Sequence, residues 1–478
     1  MGQEVARERF TPEDFRHFAE RLAVETDYLE RLLEEGRLDK SHPTTGFEIE
    51  AWLVDERYRP YPVNEAFLRL MGTPRVVPEL ARFNFELNST AYPLEGTVLR
   101  SLHEELDDNW KLCREKARTL GGDAVMIGIL PTVREEDLTL KNMSPLHRYH
   151  ALNEQILRLR HGRPLRLHIK GREELITTPH KDVMLESAAT AFQTHIRVNP
   201  DLAVRFYNAS LILSAVTVAV SANSPYLFGR DLWDETRIPL FEQAILVKGY
   251  EDRPHCRVTR VTFGSGYARR SLIEVFRENQ ECYPVILPMP FHSEAEAFNY
   301  LRLHNGTIWR WNRPLIGFDE AGKPHLRIEH RVTAAGPTSA DVIANMALYL
   351  GLVHALATQD APPEHQLEFR SARANFYRAA REGLPAPITW LEGKRWTVGE
   401  LLLERLLPLA REGLEDLGVD KEDVAYYMDI IEARVKTGQN GASWQRAYVA
   451  EHGPDMEALA AAYAERSHKG QPVHRWSL

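Results

Sequence analysis

Apolar and polar residues alternate with a period of two in two segments between residues 46 and 90. This is the pattern of a β-strand with one apolar and one polar face. The polar face of the first strand carries Glu48 and Glu50, and that of the second carries Glu86. The connection between them contains prolines and a short apolar stretch, so it is predicted to be longer than a tight hairpin. Glu79, near the end of this connection, is expected to add a further acid to the same surface.

Two later segments, residues 190–198 and 326–332, repeat the alternation. Their predicted polar faces carry acidic, basic and amide side chains: Gln193, His195 and Arg197 on the third strand, and Arg327, Glu329 and Arg331 on the fourth. A single strand of this kind is ordinarily the solvated face of a sheet, and an acid between arginines is ordinarily a salt-bridge ladder. Recurrence over four strands instead favours a site for a metal-bound triphosphate, because acids hold the cation and arginines neutralise phosphoryl oxygens. We therefore expect Glu86 and Glu329 to point into one cavity.

Helical patterns account for most of the remaining chain. Amphipathic helices are predicted at residues 11–36 and 97–120, and a buried strand at 124–130. The longest apolar run, residues 209–222, is too short to span a bilayer and predicts a buried helix, with Asn199-Pro200 as its cap. From residue 341 onward the pattern is almost wholly helical, and the last predicted helix stops at the glycine-rich segment 438–441.

The composition is that of a soluble globular protein, with 44% apolar and 27% charged residues in 478. The net charge of −9 gives no general attraction to nucleic acid or to an anionic membrane. Cys113, Cys256 and Cys282 are far apart and lack CxxC spacing, which argues against a disulfide scaffold or a zinc site and favours a reducing cytoplasm. Residues 1–21 are charged and lack the apolar core of a signal peptide.

Loop side chains offer further candidates for ligand contacts. Asn223 precedes a Ser-Pro pair and carries both a donor and an acceptor, and Arg230 and Arg237 could each bind a carboxylate through two parallel hydrogen bonds. The alternative for a loop arginine is an ordinary surface charge. The basic segment 141–170 is in most such cases a solvated helix face, with a direct phosphate contact as the alternative. Residues 263–266 lack the lysine and spacing of a phosphate-binding loop.

Taken in chain order, these segments resemble the glutamate-cysteine ligase type 2 family of carboxylate-amine ligases. The resemblance depends on an ordered set rather than on any one motif: residues 46–50, 79–90, 193–198, 222–225, 327–331 and 375–384. It implies an α+β fold of glutamine-synthetase-like type, in which a curved antiparallel sheet forms a half-barrel with helices packed outside. We expect residues 1–360 to form a catalytic α+β domain and residues 361–478 to form a helical C-terminal region packed on the same domain.

The resemblance also implies roles for particular residues. The expected ligands of Mg²⁺, or of Mn²⁺ in its place, are Glu48, Glu50, Glu79, Glu86, His195 and Glu329. The expected catalytic residues are Glu86, Glu329 and Arg331, with Arg327, Arg331 and Arg381 as contacts of ATP and Asn223, Arg197 and Arg237 as contacts of the substrates. Two positions depart from the family, since Ile49 stands where it often has a third acid and Arg197 where it often has a second histidine. These departures leave the ATP chemistry intact and put the amino-acid substrate in question.

The implied function is ATP-dependent formation of an amide through a γ-glutamyl phosphate, as in a glutamate-cysteine ligase of glutathione biosynthesis. The expected partners are an amino acid and an amine in the cytoplasm, with no nucleic acid or membrane, and a homo-oligomer is left open. The sequence identifies neither the amine nor the pathway. Two alternatives stay open: an ATP-dependent kinase of a guanidino or amine substrate on the same fold, and a catalytically silent binding or regulatory protein.

Overall fold

The four alternating segments are adjacent strands of one antiparallel sheet in the computed structural model, which describes residues 8–247, 256 and 259–478. The first seven residues of the charged N-terminal segment lie outside the described residues. The strands are β1 (Thr44–Val54), β2 (Val76–Pro78), β3 (Asn84–Asn88), β4 (Tyr92–Pro93), β5 (Asp123–Val125), β6 (Leu165–Lys170), β7 (Leu175–His180), β8 (Phe192–Val198), β9 (Tyr226–Leu227), β10 (Arg230–Asp231), β11 (Val261–Thr262), β12 (Trp309–Arg310), β13 (Asn312–Phe318), β14 (Pro324–His330), β15 (Pro387–Thr389) and β16 (Arg395–Thr397).

The central sheet has eight strands in the order β13-β14-β8-β1-β3-β2, with β4 and β5 both paired to β1. Its register places polar residues opposite one another: Glu50 with Glu86, Glu48 with Gln193, and Glu329 with His195. Paired residues of an antiparallel ladder project from the same face. The alternation in each strand therefore adds up to one polar face across β14, β8, β1 and β3. The predicted half-barrel fold is confirmed.

The helices are α1 (Pro12–Glu34), α2 (Asn64–Met71), α3 (Val98–Thr119), α4 (His147–Leu159), α5 (Ala203–Val220), α6 (Arg237–Ala244), α7 (Ile273–Cys282), α8 (Asn299–Gly306), α9 (Ser339–Thr358), α10 (Phe369–Glu382), α11 (Val398–Leu401), α12 (Leu407–Asp416), α13 (Lys421–Thr437), α14 (Gly441–His452) and α15 (Met456–His468). A π-helical turn at Leu402–Leu406 joins α11 to α12. The amphipathic helices predicted at 11–36 and 97–120 are confirmed as α1 and α3.

Two apolar helices lie against the apolar face of the sheet, since α5 packs on β13 and β14 and α9 packs on β8. Each is long and apolar enough to cross a membrane, but 89% of each apolar stretch is buried inside the protein, as in core helices. This confirms the buried helix predicted at 209–222. His330 joins both helices to the sheet, because its ring stacks on Tyr349 of α9 with 4.1 Å between centroids and it hydrogen-bonds to Thr217 of α5.

Three local predictions need correction. The cap of α5 is not Asn199, because the helix begins at Ala203 and Asn199 Oδ1 accepts a hydrogen bond from the backbone of Asp201 (3.0 Å). The strand predicted at 124–130 ends at Val125, and the next carbonyl groups accept hydrogen bonds from side chains instead of from a strand. The predicted stop at 438–441 also starts a helix, because Asn440 caps α14 by accepting from the backbone of Ser443.

The cysteine spacing argues against a disulfide scaffold, yet the described residues contain a disulfide. Cys256 and Cys282 are joined by a disulfide, and their Cα atoms lie 4.9 Å apart. The pairing is not evident from the sequence, because the two cysteines are 26 residues apart. Cys282 is the last residue of α7, and this helix places it beside Cys256. Disulfides are uncommon in cytosolic proteins, so the cytoplasmic location stays a prediction. Cys113 is a buried free thiol.

A buried ion pair joins α13 to α9. Arg434 and Asp341 are fully buried, and Arg434 donates to Asp341 Oδ1 at 2.8 Å. The same carboxylate accepts from the Thr338 hydroxyl at 2.8 Å and from the backbone N–H of Val473 at 3.0 Å. Asp341 therefore connects three parts of the chain: the start of α9, the helix α13 and the C-terminal segment.

Replacing that acid should destabilise the protein. In Asp341→Ala the guanidinium of Arg434 stays buried without its counter-charge, which should lower the free energy of unfolding by about 3 to 5 kcal/mol. Urea denaturation followed by circular dichroism measures the change. The control is Glu465→Ala, which removes an exposed pair with Lys469 on α15 and should leave the midpoint unchanged. An equal midpoint for the two variants would contradict this account of the ion pair.

Candidate metal and phosphate site

The first group of candidate metal ligands joins three neighbouring strands. Glu48 of β1, His195 of β8 and Glu329 of β14 each offer one ligand atom, and these atoms lie within 4.8 Å of one another. His195 Nε2 is 3.3 Å from Glu48 Oε1 and 3.9 Å from Glu329 Oε1. The register explains the grouping, since His195 and Glu329 are direct ladder partners. We call these three residues trio A.

The second group, trio B, consists of Glu50, Glu79 and Glu86, whose ligand atoms also lie within 4.8 Å of one another. Glu50 and Glu86 are ladder partners on β1 and β3, and Glu79 directly follows β2. Glu48 and Glu50 are two residues apart on β1, so this strand contributes one acid to each trio. The six predicted metal ligands are thus brought together, but in two groups rather than in one.

Trio B carries more negative charge than the protein around it compensates. Burial, and then the charges of Glu50 and Glu186, raise the pKa of Glu79 to about 8. Burial and the charges of Glu48 and Glu79 raise the pKa of Glu86 well above its ordinary value. Burial likewise raises the pKa of Glu50, although Arg331 opposes the shift. A bound cation would supply the missing positive charge.

Trio A is compensated by arginines. Arg313 donates two hydrogen bonds to Glu329, both at 2.9 Å, and Arg331 donates a third at 3.2 Å. Burial raises the pKa of Glu329, but the charges of Arg313 and Arg331 outweigh it and lower the pKa to about 2. Burial also opposes ionisation of Glu48, and the imidazole of His195 outweighs it, so the pKa of Glu48 is lowered. Both acids of this trio are therefore held as carboxylates.

The donor atoms of both trios suit a divalent cation. In the two trios, the buried oxygens Glu48 Oε2, Glu79 Oε1 and Glu86 Oε2 have no hydrogen-bond partner among the described residues, and both ring nitrogens of His195 lack one as well. An unpartnered buried polar atom is unfavourable unless a ligand satisfies it. Carboxylate oxygens with one imidazole nitrogen are ligands that Mg²⁺ and Mn²⁺ accept. The residues present fit the expected cations.

A cavity of about 500 Å³ opens beside the trios. Glu48, Glu79 and Glu329 line it from the sheet, so both trios reach it. The rest of the wall is partly cationic and partly apolar: Arg148, Arg302, Arg313 and Arg327 with Leu152, Ile245, Phe276, Leu287, Leu301, Leu303, Leu315, Ile316 and Trp309 among others. Glu86 is absent from this lining, and its trio reaches the cavity through Glu79. A cavity with cationic and apolar walls can hold an anion with an apolar part.

Arg331 lies one residue beyond β14 and is buried between the trios. It donates to Gln193 Oε1 as well as to Glu329, and it lines a smaller pocket with Glu50. Burial disfavours its charge, but Glu329 and Glu50 outweigh this and raise its pKa. Arg327, four residues earlier on β14, lines the cavity, and its Nε has no hydrogen-bond partner among the described residues. The predicted phosphate contacts Arg327 and Arg331 therefore lie beside the trios.

The remaining predicted contacts lie elsewhere. Arg237 is buried behind Arg331, donates to the backbone oxygen of Arg331 (3.3 Å) and pairs with Glu235 (3.1 Å). Asn223 uses its amide within the core, donating to Ala335 O and Tyr463 Oη and accepting from Gln445. Arg197 pairs with Asp39 and Ser41, and Arg381 is exposed on α10. Of these four only Arg237 lines a pocket of the site, and the ligand contacts of all four stay predictions.

The charged residues of the site that were not predicted include Arg313 and Glu186. Arg313 lies opposite Glu329 in the β13-β14 hairpin, and counting back from the turn at residues 319–322 would have found it. Glu186 lines both the cavity and the smaller pocket, and burial and the charge of Glu50 raise its pKa to about 8 while Arg331 opposes the shift. It lies in the 3₁₀ turn Met184–Ala188, where no strand or helix period marks it.

Comparison with known proteins adds three findings. No curated protein sequence matches the chain. Among solved structures, glutamate-cysteine ligase of Francisella tularensis in complex with AMP superposes with a TM-score of 0.53 at 10% identity, covering 92% of this chain and 96% of that one. A bifunctional glutathione synthetase of Pasteurella multocida superposes with a TM-score of 0.53 at 11% identity, covering 94% of this chain and 55% of that one. At these identities the two structures show a shared fold.

The sequence itself identifies the family. The model of glutamate-cysteine ligase family 2 (GCS2) matches residues 44–465. This range begins at the first residue of β1 and includes every residue of the two trios, Arg313 and Arg331. The chain therefore belongs to glutamate-cysteine ligase family 2.

Proposed function

We propose that this protein is an ATP-dependent carboxylate-amine ligase that activates the side-chain carboxylate of glutamate and joins it to an amine. The family and the fold support a ligase. The observation that carries the proposal is the pair of carboxylate trios, side by side on one polar face, with Arg331 buried between them and a cavity at their edge. Acids for cations, an arginine for the phosphoryl group and room for substrates are the parts that phosphoryl transfer requires.

The proposed ligands of two Mg²⁺ ions are trio A and trio B, and Mn²⁺ could take the place of Mg²⁺. Cations bound there would neutralise the β- and γ-phosphate oxygens of ATP. The raised pKa values of Glu79 and Glu86 support this assignment, because their carboxylates lack a counter-charge in the protein. The nucleotide is further supported by the Francisella tularensis enzyme, whose structure contains AMP.

The proposed reaction has two steps. First, an oxygen of the glutamate side chain attacks the γ-phosphorus of ATP, the bond from that phosphorus to the β,γ-bridging oxygen breaks, and ADP leaves. Second, the amine nitrogen attacks the acyl carbon of the γ-glutamyl phosphate, inorganic phosphate leaves, and the nitrogen loses a proton to give the amide. The acyl phosphate would be lost to water in an open site, so a cavity that excludes water favours amide formation.

The proposed part of Arg331 is to stabilise negative charge on the transferred phosphoryl group. Glu329 and Gln193 hold its guanidinium, and Arg237 holds its backbone, so the side chain has little freedom to turn away. Arg327 on the cavity wall is proposed to contact a phosphate oxygen. Because these groups are fixed before the substrate arrives, no reorganisation is needed during the reaction.

The function can be tested by measuring ADP, inorganic phosphate and amide across pairs of amino acids and amines, beginning with L-glutamate and L-cysteine. We expect ADP release that requires both substrates together with Mg²⁺ or Mn²⁺, and excess EDTA should reduce it to background. Equal amounts of ADP, phosphate and amide would support a ligase. A stable phosphorylated product in place of phosphate and amide would establish a kinase, and full activity in EDTA would contradict the metal assignment.

Arg331→Lys should impair catalysis without unfolding the protein. Lysine keeps the charge but loses the planar fork that bonds Glu329 and a phosphoryl oxygen at once, so turnover should fall about tenfold or more. Steady-state kinetics measure turnover, and a thermal melt checks the fold. Arg230→Lys is the matched control, because Arg230 is an exposed arginine of the short strand β10 and is paired with Glu174. Unchanged turnover, or a loss that parallels a fall in melting temperature, would make Arg331 a structural residue only.

A further inference from the structure

Glu186 is the acid of the site that belongs to neither trio. It lies in the turn between β7 and β8 and lines both the cavity and the smaller pocket that contains Arg331. In the described part of the chain its carboxylate has no hydrogen bond and no ion pair, in contrast to Glu329, which three guanidinium N–H groups contact. A carboxylate placed between two cavities without a partner is suited to bind a positively charged group of a ligand.

The positively charged group that Glu186 would bind is better explained as an organic cation than as another metal ion. The ligand atoms of each trio lie within 4.8 Å of one another, and Glu186 contributes to neither group. Burial and the charge of Glu50 raise the pKa of Glu186, the charge of Arg331 opposes the rise, and these three residues line the same pocket. A single carboxylate outside both trios offers a divalent ion few ligands, whereas an ammonium group can place its N–H groups on that carboxylate.

The amine substrate of the proposed reaction reaches this place as an ammonium ion, because amines with pKa values well above 7 are protonated at neutral pH. Its nitrogen must lose one proton before it can attack the acyl carbon next to the phosphoryl group that Arg331 is proposed to hold. We propose that Glu186 binds the ammonium group of the amine substrate, accepts this proton and positions the nitrogen beside Arg331. This inference rests on the proposed function. It assigns the amine to the edge of the larger cavity that Glu186 lines, because the smaller pocket, at about 10 Å³, has room for no more than a water molecule.

The test compares two nucleophiles in Glu186→Gln. One is the amine that gives the fastest ADP release in the screen, which enters as an ammonium ion. The other is hydroxylamine, which is largely uncharged at neutral pH and traps an acyl phosphate as a hydroxamate. Loss of a charge-assisted hydrogen bond should raise the KM of the amine about tenfold or more. The rate of hydroxamate formation should stay within about twofold of wild type, because the activation step does not use Glu186.

The control variant is Glu173→Gln, an exposed acid in the preceding β6-β7 turn, which should change neither rate. Equal losses with both nucleophiles, or a higher Mg²⁺ requirement, would overturn the inference by placing Glu186 in the activation step. An unchanged KM for the amine would overturn it as well. If wild type forms no hydroxamate with any carboxylate, the proposed function itself fails and the amine site fails with it. If wild type forms hydroxamate and the variant shows no difference between nucleophiles, only the inference about Glu186 fails.

Discussion

The crowding of carboxylates on one face of the sheet is the constraint on which the rest of the site depends. Glu48, Glu50, Glu79, Glu86 and Glu329 lie within two groups that share β1, and each is largely removed from water. Bringing like charges together in a medium of low dielectric constant is unfavourable unless cations are close. Arg313 and Arg331 provide that compensation for Glu329, and His195 provides it for Glu48, whereas the pKa values of the three acids of trio B stay raised. The remaining charge of trio B requires either bound protons or bound cations.

The fold holds this unfavourable arrangement in place from the opposite face. α5 and α9 are buried along their length against the apolar side of the sheet, and His330 contacts both helices from β14. Successive residues at the end of β14 therefore lie on opposite faces of the sheet. His330 anchors the strand to the core, whereas Glu329 and Arg331 face the site. Because the helices fix the strands, the acids cannot relieve their repulsion by moving apart, and the negative charge of the site stays concentrated.

Much of the sheet could be predicted because the alternation of apolar and polar residues is a local signal. It identified Glu48, Glu86, His195 and Glu329 on their strands, and the order of those strands follows the resemblance to the family. Long-range features left no such signal. The partition of the acids into two trios depends on which strands are neighbours, Glu186 lies in an irregular turn, and the Cys256–Cys282 disulfide depends on where α7 ends. Asn223 illustrates the opposite error. As a polar loop residue it is expected to contact a ligand, but its side-chain amide donates hydrogen bonds within the core instead.

If the site works as proposed, each trio binds one divalent cation. Titration with Mn²⁺ in the presence of ADP, followed by electron paramagnetic resonance of the free ion, counts the bound ions without requiring turnover. The account predicts two ions per chain for wild type, one for each trio. Glu86→Gln should lose the ion of trio B and Glu329→Gln the ion of trio A, so each variant should retain one. A single ion in wild type, or loss of both ions in either variant, would contradict the division of the site into two cation-binding trios.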